Sequence, residues 1–321
     1  MTNRDSASSQ SFFKYDVALK IVRVIRQKGY AALLAGGCVR DILLKRRPKD
    51  YDIVTDALPE VVKSLFDGTI DVGEKFGVIK VPMAGLEFEV ATFRSDASYS
   101  DGRHPDSVTF GRQQQDAQRR DFTINGMFYE PVQGKLLDYV DGRTDLSKRV
   151  IRAIGDPQKR FSEDYLRLLR AVRFAVELEF TIDSDTEKAI IANAAGITSI
   201  SPERIRDELE KILLLHNARV GLEMLDSFGI LKAILPQVAA YKGVRQGRQL
   251  HPEGDVWQHT LLAMSLLENP SFEFALAVLL HDVGKPLTAD PGAERLFLDH
   301  ERVGEKVARE IAASLRLSPG Y

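Results

Sequence analysis

The segment Lys49-Asp50-Tyr51-Asp52-Ile53-Val54-Thr55 places two carboxylates at i and i+2, at the head of an apolar run. On a strand, where successive side chains alternate, both acids point to one face. Two hard oxygen ligands on one face suit Mg²⁺, which takes few carboxylates and completes its shell with water and substrate phosphate. A pair of such ions activates an attacking hydroxyl and stabilises a leaving pyrophosphate. In Leu86-Glu87-Phe88-Glu89-Val90-Ala91-Thr92 the same alternation puts Glu87 and Glu89 on one face. Glu89 is the candidate third ligand. The alternative there is a plain exposed strand edge.

Upstream, Leu33-Leu34-Ala35-Gly36-Gly37-Cys38-Val39-Arg40-Asp41 reads as a strand, a glycine pair and a helix start. Glycines let the backbone approach an anion closely, and free N–H groups at a helix start favour phosphate. Gly37 and Arg40, whose forked donors match phosphate oxygens, are the candidate triphosphate contacts. Gly37 precedes Asp50 by about a dozen residues on this sequence, so one strand end would hold the triphosphate and the next its metals.

These residues need elements to hold them. Helical spacing over 12–29 brings Val17, Ala18, Ile21, Val22 and Ile25 to one face. Ala31 to Ala35 and Tyr51 to Thr55 read as strands, with a short helix from Val39 to Leu44 between them. Gly77 to Val81 and Leu86 to Phe93 read as a strand pair around Gly85. Ser95 to Gln118 is polar and punctuated by Gly102, Pro105 and Gly111, and is expected to be a mobile loop, centred on Tyr99 and Asp101-Gly102-Arg103-His104-Pro105. From Ser162 onward helical patterns dominate. The pattern predicts an α+β chain: a mixed-sheet head over 12–142, a helical body over 143–245 and a second helical segment over 246–321.

Composition sets outer limits. The chain has 321 residues, 44% hydrophobic and 28% charged, which is ordinary for a folded protein. Cys38 is the single cysteine, so no intrachain disulfide forms. The polar, Ser-rich start lacks a signal-peptide run, and no stretch approaches membrane-spanning length, so a cytoplasmic location without membrane partners is expected. Net charge is −2, which does not advertise a nucleic-acid binder. Between Arg143 and Arg173, however, nine Lys/Arg stand against four Asp/Glu, enough for a phosphate-binding surface.

Gly36-Gly37-x-Val39-Arg40-Asp41 followed by Asp50-x-Asp52 resembles the head of the class II tRNA nucleotidyltransferases and bacterial poly(A) polymerases. Arg119-Arg120-Asp121-Phe122-Thr123-Ile124-Asn125-Gly126 resembles their second motif, with Gly126 where Ala is usual. Asp141-Gly142, Asp145-Leu146 and Ile151-Arg152 resemble the connection to the neck. Glu163-Asp164-Tyr165-Leu166-Arg167-x-x-Arg170-Ala171-x-Arg173-Phe174 resembles the nucleotide-selecting motif, and Ser201-Pro202-Glu203-Arg204-Ile205 the last neck motif. The resemblance covers about residues 30–240. It implies a small polymerase-type palm followed by a helical neck and body. It also implies attack of an RNA 3′-hydroxyl on the α-phosphate of CTP or ATP. Asp50 and Asp52 become the catalytic Mg²⁺ ligands. Gly37, Arg40, Arg120, Asp164, Arg167, Arg170 and Arg173 become the nucleotide-binding set, and the 3′ end of tRNA the partner.

Hydrogen-bond logic supports the neck assignment. Cytosine and adenine both present an amino donor beside a ring-nitrogen acceptor, and uracil and guanine the reverse. An acid beside an arginine offers acceptor then donor. Asp164 and Arg167, three apart and expected as neighbours on one helix, would accept C and A. Arg170 and Arg173 rotate away by about 60° per step, so phosphate contact or an intrahelical role suits them.

His259, then His281-Asp282 with Gly284-Lys285-Pro286, resembles the HD phosphohydrolase superfamily. Imidazoles with a carboxylate suit Mn, Ni, Co or Zn better than Mg²⁺. His300 is a further candidate ligand. That superfamily supplies a distal Asp on a later helix, and none is assigned before Tyr321, which leaves a truncated chain or a vestigial site as alternatives. The leading expectation is CCA addition to tRNA. Its rivals are poly(A) tailing, A-only or CC-only addition and, in another class, a metal phosphohydrolase with an RNA-binding head.

Overall fold

The apolar runs beside the glycine turn and the paired acids form the middle of a seven-stranded sheet. The structure, a computed structural model, describes residues 3–73, 77–96, 107–247, 251–289 and 297–317. Two compact units divide it, Met1–Asp156 and Pro157–Tyr321.

The first unit opens with α1 (Asn3–Gln27), whose Val17, Ala18, Ile21, Val22 and Ile25 are all buried. The elements that follow are β1 (Ala32–Ala35), α2 (Gly37–Leu43), β2 (Asp52–Thr55), α3 (Pro59–Leu65), β3 (Ile70–Gly73), β4 (Val78–Met83) and β5 (Leu86–Thr92). Then come β6 (Arg94–Asp96), β7 (Val108–Phe110), α4 (Gln113–Gln118), β8 (Phe128–Glu130), β9 (Lys135–Leu137) and α5 (Gly142–Lys148). The sheet order is β3-β4-β5-β2-β1-β8-β9. Only β2 and β5 pair in parallel within it, the mixed sheet expected for the head. Leu33, Ala35, Val54, Phe93, Ala117 and Phe128 form one apolar cluster. Phe128 has no exposed surface, so its truncation to Ala would cost about 3–5 kcal/mol.

The polar stretch from Ser95 to Gln118 is not simply a loop. Its ends form the β6/β7 hairpin, with Ser95 opposite Thr109, and the helix α4. These strands are three residues long and largely polar, so they lack the alternation that announces a strand. Residues 97–106, where mobility is expected, lie outside the described residues. Residues 143–156 pack with the first unit: Thr123 N–H donates to Arg152 O at 2.9 Å and Ile154 N–H to Asp121 O at 3.1 Å.

The second unit is helical: α6 (Pro157–Glu163), α7 (Leu166–Leu178), α8 (Ser184–Asn193), α9 (Pro202–Leu213), α10 (Ala218–Ser227), α11 (Ile230–Ile234), α12 (Pro236–Ala239), α13 (Val256–Ser265), α14 (Phe272–Leu280), α15 (Lys285–Thr288) and α16 (His300–Ser314). Leu169, Val172 and Val176 on α7 and Leu209, Ile212 and Leu213 on α9 are buried, and α7 packs on α9. The sequence boundary near residue 246 is bridged within this unit. Tyr241, fully buried, donates its hydroxyl to Leu279 O at 3.0 Å. No helix among the described residues is long and apolar enough to cross a membrane.

Candidate functional sites

Strand register brings the head acids together. Ala35 lies opposite Asp52 across β1 and β2. Ile53 lies opposite Val90 across the parallel pair β2 and β5, so one step earlier Asp52 and Glu89 come side by side. Asp50 sits two residues before, just outside the regular strand. All three acids line one cavity of about 230 Å³. Lys14 of α1 holds the exposed Asp50 carboxylate at 3.2 Å and also donates to Lys49 O at 3.0 Å. Lys80 engages the neighbouring Glu87 at 3.2 Å. Asp52 is reachable by solvent, yet protein crowds its carboxyl and Glu89 stands beside it. Both push its pKa above the usual range, Arg120 opposes them, and Asp50 adds a smaller upward push. Like charges gathered this way are relieved by a divalent cation, and the all-oxygen donor set fits one.

The glycine turn is pinned against this cluster. Gly36 has φ +73°, and a Cβ there would stand 3.2 Å from Arg120 Nη1 and 3.5 Å from Asp52 Oδ2. The left-handed backbone and the close approach both require glycine. Arg120 lies over the Phe128 ring at 5.1 Å. Its guanidinium is held by Asp116, which is wholly buried and takes Nε at 3.2 Å and Nη2 at 3.0 Å. The same acid takes Arg119 Nε at 2.8 Å. Burial alone would raise the Asp116 pKa, but the two arginines outweigh it and hold it below the usual value. Sequence reasoning missed Asp116 and Lys14. The acid lay in the polar stretch taken for a loop, although its i+3 and i+4 spacing to Arg119 and Arg120 was a usable signal.

Arg40 stands at the glycine turn, its Nη2 3.7 Å from where a Cβ on Gly37 would lie, with protein partners of its own. Its buried guanidinium bonds Asp41 Oδ1 through Nε at 2.9 Å and Asn125 Oδ1 through Nη1 at 3.0 Å. Asn125 Nδ2 in turn donates to Asp121 at 3.2 Å. These bonds tie the glycine turn to the second motif. Cys38 offers no nucleophile: burial first, and then Asp52, push its thiol up to about 12.

In the helical unit Asp164 and Arg167 are not helical neighbours, because α7 begins only at Leu166. Asp164 accepts from Leu166 N at 3.1 Å and pairs with Arg204 Nη2 at 2.8 Å. Arg167 donates Nη1 to Arg160 O at 2.6 Å and Glu163 Oε2 at 3.0 Å. Its Nε and Nη2 carry no hydrogen bond among the described residues. Arg173 bonds Glu208 at 2.7 Å and Glu177 at 3.1 Å, an intrahelical partner, while Arg170 comes within 3.8 Å of Glu208. Burial would raise the Glu208 pKa, but Arg173, Arg170 and Lys211 hold it below its usual value. Arg204, Glu163 and Glu208 are partners that motif spacing did not name.

The histidines converge at the end of α14. His259, His281 and Asp282 offer ligand atoms within 4.8 Å of one another. His281 Nε2 lies 3.2 Å and His259 Nε2 3.9 Å from Asp282 Oδ2. Atoms about 2.1 Å from one ion lie roughly 3 Å apart when adjacent and about 4.2 Å apart when opposite, so both separations fall in the span open to the mixed nitrogen and oxygen ligands of one cation. His281 donates Nδ1–H to Val278 O at 2.7 Å. Lys285 Nζ, buried, reaches Asp282 Oδ2 at 2.7 Å and Gln246 Oε1 at 2.6 Å. Hydrogen bonding to Asp282 raises the His281 pKa despite burial. Burial would raise Asp282, but His281 and Lys285 bring it down to about 2. His300 does not join the group: its Nδ1 faces Phe297 O at 2.8 Å. No distal Asp joins it among the described residues either. A second group, His251, Glu253 and His259, adjoins it and was missed from sequence.

Three family matches cover most of the chain: Poly A polymerase head domain over residues 32–152, probable RNA and SrmB-binding site of polymerase A over 179–242, and HD domain over 256–318. The CCA-adding enzyme of Lactobacillus johnsonii is 38% identical over 261 residues, 78% of this chain and 64% of its own length. That of Geobacillus stearothermophilus is 45% identical over 226 residues, 70% of this chain and 55% of its own length. The chain thus spans less than two thirds of the length of these curated relatives. A crystal structure of the Bacillus stearothermophilus CCA-adding enzyme in complex with CTP matches at TM-score 0.64 and 34% identity, over 94% of this chain and 82% of that one.

Proposed function

The chain belongs to the family of class II tRNA nucleotidyltransferases and poly(A) polymerases, and from that premise we propose that it adds C and A nucleotides to the 3′ end of tRNA, using CTP and ATP and releasing pyrophosphate. The convergence of Asp50, Asp52 and Glu89 beside the Gly36-Gly37 turn carries this proposal. Asp50 and Asp52, with Glu89, hold Mg²⁺, which when bound supplies the positive charge that lowers the cost of hydroxyl attack and pyrophosphate departure. Gly37 lets the triphosphate approach the backbone. Arg120, braced by Asp116, sits at the same turn and meets phosphate oxygens with a guanidinium whose direction is fixed before substrate arrives. Arg40 locks the turn to Asn125 and sets its guanidinium beside Gly37, where the triphosphate approaches.

Asp164 and Arg167 form the base-reading pair. Arg204 fixes the Asp164 carboxylate, Glu163 fixes one arm of Arg167, and the remaining arms of Arg167 donate to the base. Arg170 and Arg173 tie α7 through Glu208 to α9, the helix that carries Arg204. Functionally, residues 12–142 are the catalytic head, 143–245 the nucleotide-selecting and RNA-binding neck and body, and 246–321 the HD segment, in a cytoplasmic protein. Incubation with tRNA lacking its CCA end tests this directly. CTP alone should add two residues, and CTP with ATP three. Long A tails from ATP alone would mark a poly(A) polymerase, and stalling at CC or at A alone would mark a partial enzyme.

The grouping of His259, His281 and Asp282 supports a second, metal-dependent phosphohydrolase activity using Mn, Ni, Co or Zn. Hydrolysis of 2′,3′-cyclic AMP by the wild type but not by Asp282→Ala, with nucleotide addition intact in both, is the expected result. Equal background rates with every metal would remove this activity.

A further inference from the structure

We propose that Glu253 is a positioning residue that fixes the tautomer and direction of His259, and so builds the metal seat formed with His281 and Asp282; this rests on the phosphohydrolase proposal above. Glu253 Oε1 lies 2.6 Å from His259 Nδ1. An ionised carboxylate only accepts hydrogen bonds, so the proton between them belongs to His259 Nδ1. The other ring nitrogen, Nε2, then carries the lone pair, and it is this atom that faces Asp282 Oδ2 at 3.9 Å. His281 is arranged in the same way from another element: its Nδ1–H goes to Val278 O at 2.7 Å, and its Nε2 faces the same oxygen at 3.2 Å. When both rings are neutral, two imidazole lone pairs and a carboxylate oxygen directed at one point repel one another until a cation lies between them.

The 2.6 Å separation also says what Glu253 is not. Nitrogen and oxygen ligands sharing one ion stand roughly 3 Å or more apart, given bond lengths of about 2.1 Å. A shorter separation marks a direct N–H···O⁻ hydrogen bond. His251 Nδ1 reaches the same Oε1 at 3.1 Å, and its ring meets His259 edge to face at 4.8 Å. His251 therefore steadies the carboxylate that steadies His259. Asp255, two residues beyond Glu253, accepts from Gln258 N at 2.9 Å and caps α13, which carries His259. The turn holding Glu253 is thus tied to the start of the helix it serves.

The test uses the full chain carrying Asp50→Ala and Asp52→Ala, so that metal uptake reports on the helical site alone. In the metal-free protein at about pH 9, where imidazoles are neutral, nitrogen-15 NMR should show His259 protonated at Nδ1. Glu253→Ala should move that proton to Nε2. Calorimetric titration with Ni²⁺ should find one ion in the parent chain and none in Asp282→Ala. Glu253→Ala should weaken binding by about 10–100-fold, and Glu253→Gln, whose amide oxygen still accepts, should recover part of the loss. Parent-like affinity in Glu253→Ala would overturn the proposal, as would an Nε2 proton on His259 in the parent. Two ions in the parent and one in Glu253→Ala would also overturn it, by making Glu253 a ligand. Absence of Ni²⁺ uptake by the parent would remove the metal seat and the phosphohydrolase proposal, while the tautomer measurement would still decide what Glu253 does to His259.

Discussion

The head and the helical unit would hold the metals proposed for them in opposite ways. In the head, strand register brings Asp52 and Glu89 together with Asp50 just before the strand, and crowding and mutual repulsion leave Asp52 harder to ionise than a free carboxylate. In the helical unit, each histidine is oriented by its own acceptor and Asp282 is held by Lys285. The first arrangement is under electrostatic tension that arriving ions relieve. In the second, hydrogen bonds on the outward ring nitrogens aim each imidazole before a cation arrives. The nucleotide addition proposed for the head would admit and release a metal-bound triphosphate in every cycle, and tension suits that traffic.

The largest expected effect breaks the head side of this comparison. Asp52→Ala should lower nucleotide addition by about 10³-fold or more, the scale on which preorganised charge at a developing oxyanion is lost. Melting of the metal-free protein should be unaffected or improved, because the variant removes a repelling charge. A variant with most of the wild-type turnover, measured on tRNA lacking CCA, would take Asp52 out of the mechanism.

Next comes the buried acid that orients Arg120. Asp116→Ala leaves two arginines without their shared partner and should destabilise the protein by about 3–5 kcal/mol. Asp116→Asn, which keeps the shape, should fold better yet still show a raised KM for CTP and ATP. Chemical denaturation and steady-state kinetics together separate the two outcomes. An unchanged KM in Asp116→Asn would confine Asp116 to a structural role.

Glu208 tests whether the neck arginines depend on a buried charge. Glu208→Gln should cost about 2 kcal/mol at neutral pH, the scale of charge-assisted hydrogen bonds. Its folded pKa is depressed, so its stabilising contribution is complete above the unfolded value of 4.5 and disappears as pH falls through the lower folded value. The stability gap between wild type and Glu208→Gln should therefore close on acidification below about pH 4.5. A gap that stays constant down to pH 3 would mean that the charge of Glu208 contributes nothing.

The smallest effect is on choice rather than rate. Arg167→Ala should reduce discrimination of CTP over UTP by about 10–100-fold, the worth of a well-placed base-edge contact. Triphosphate affinity should change little, since Gly37 and Arg120 remain. Undiminished discrimination would defeat the base-reading role.

The sequence exposed those parts of the molecule that obey a short period. Alternation in Leu86 to Thr92 placed Glu87 and Glu89 on the exposed face of β5, and the structure buries Phe88 and Val90 opposite them. The 3.6-residue repeat marked the buried face of α1. What stayed hidden depends on distant partners. Lys14 meets Asp50 across 36 residues, and Arg204 meets Asp164 across 40. The sequence offered Arg40 as a phosphate contact because its donors suit one; the fold adds Asp41 and Asn125 as its partners at the glycine turn. Asp164 fell outside the helix expected to carry it because its own side chain accepts from Leu166 N, where α7 begins.

The parallel pairing of β2 with β5 also governs the order in which the head can assemble. Neighbouring strands joined by a hairpin meet early, as β4 and β5 can. A parallel pair must wait for a whole crossover to be made, here α3, β3 and β4, with the loop-closure entropy that such a crossover entails. Asp52 and Glu89 therefore become neighbours only once the middle of the sheet has closed. During synthesis, a chain that has emerged only through β4 has β1, β2 and Asp52 but no third acid. The proposed metal site completes with β5, in the same event that seals Ile53 against Val90, so the proposed catalytic competence and closure of the sheet arrive together.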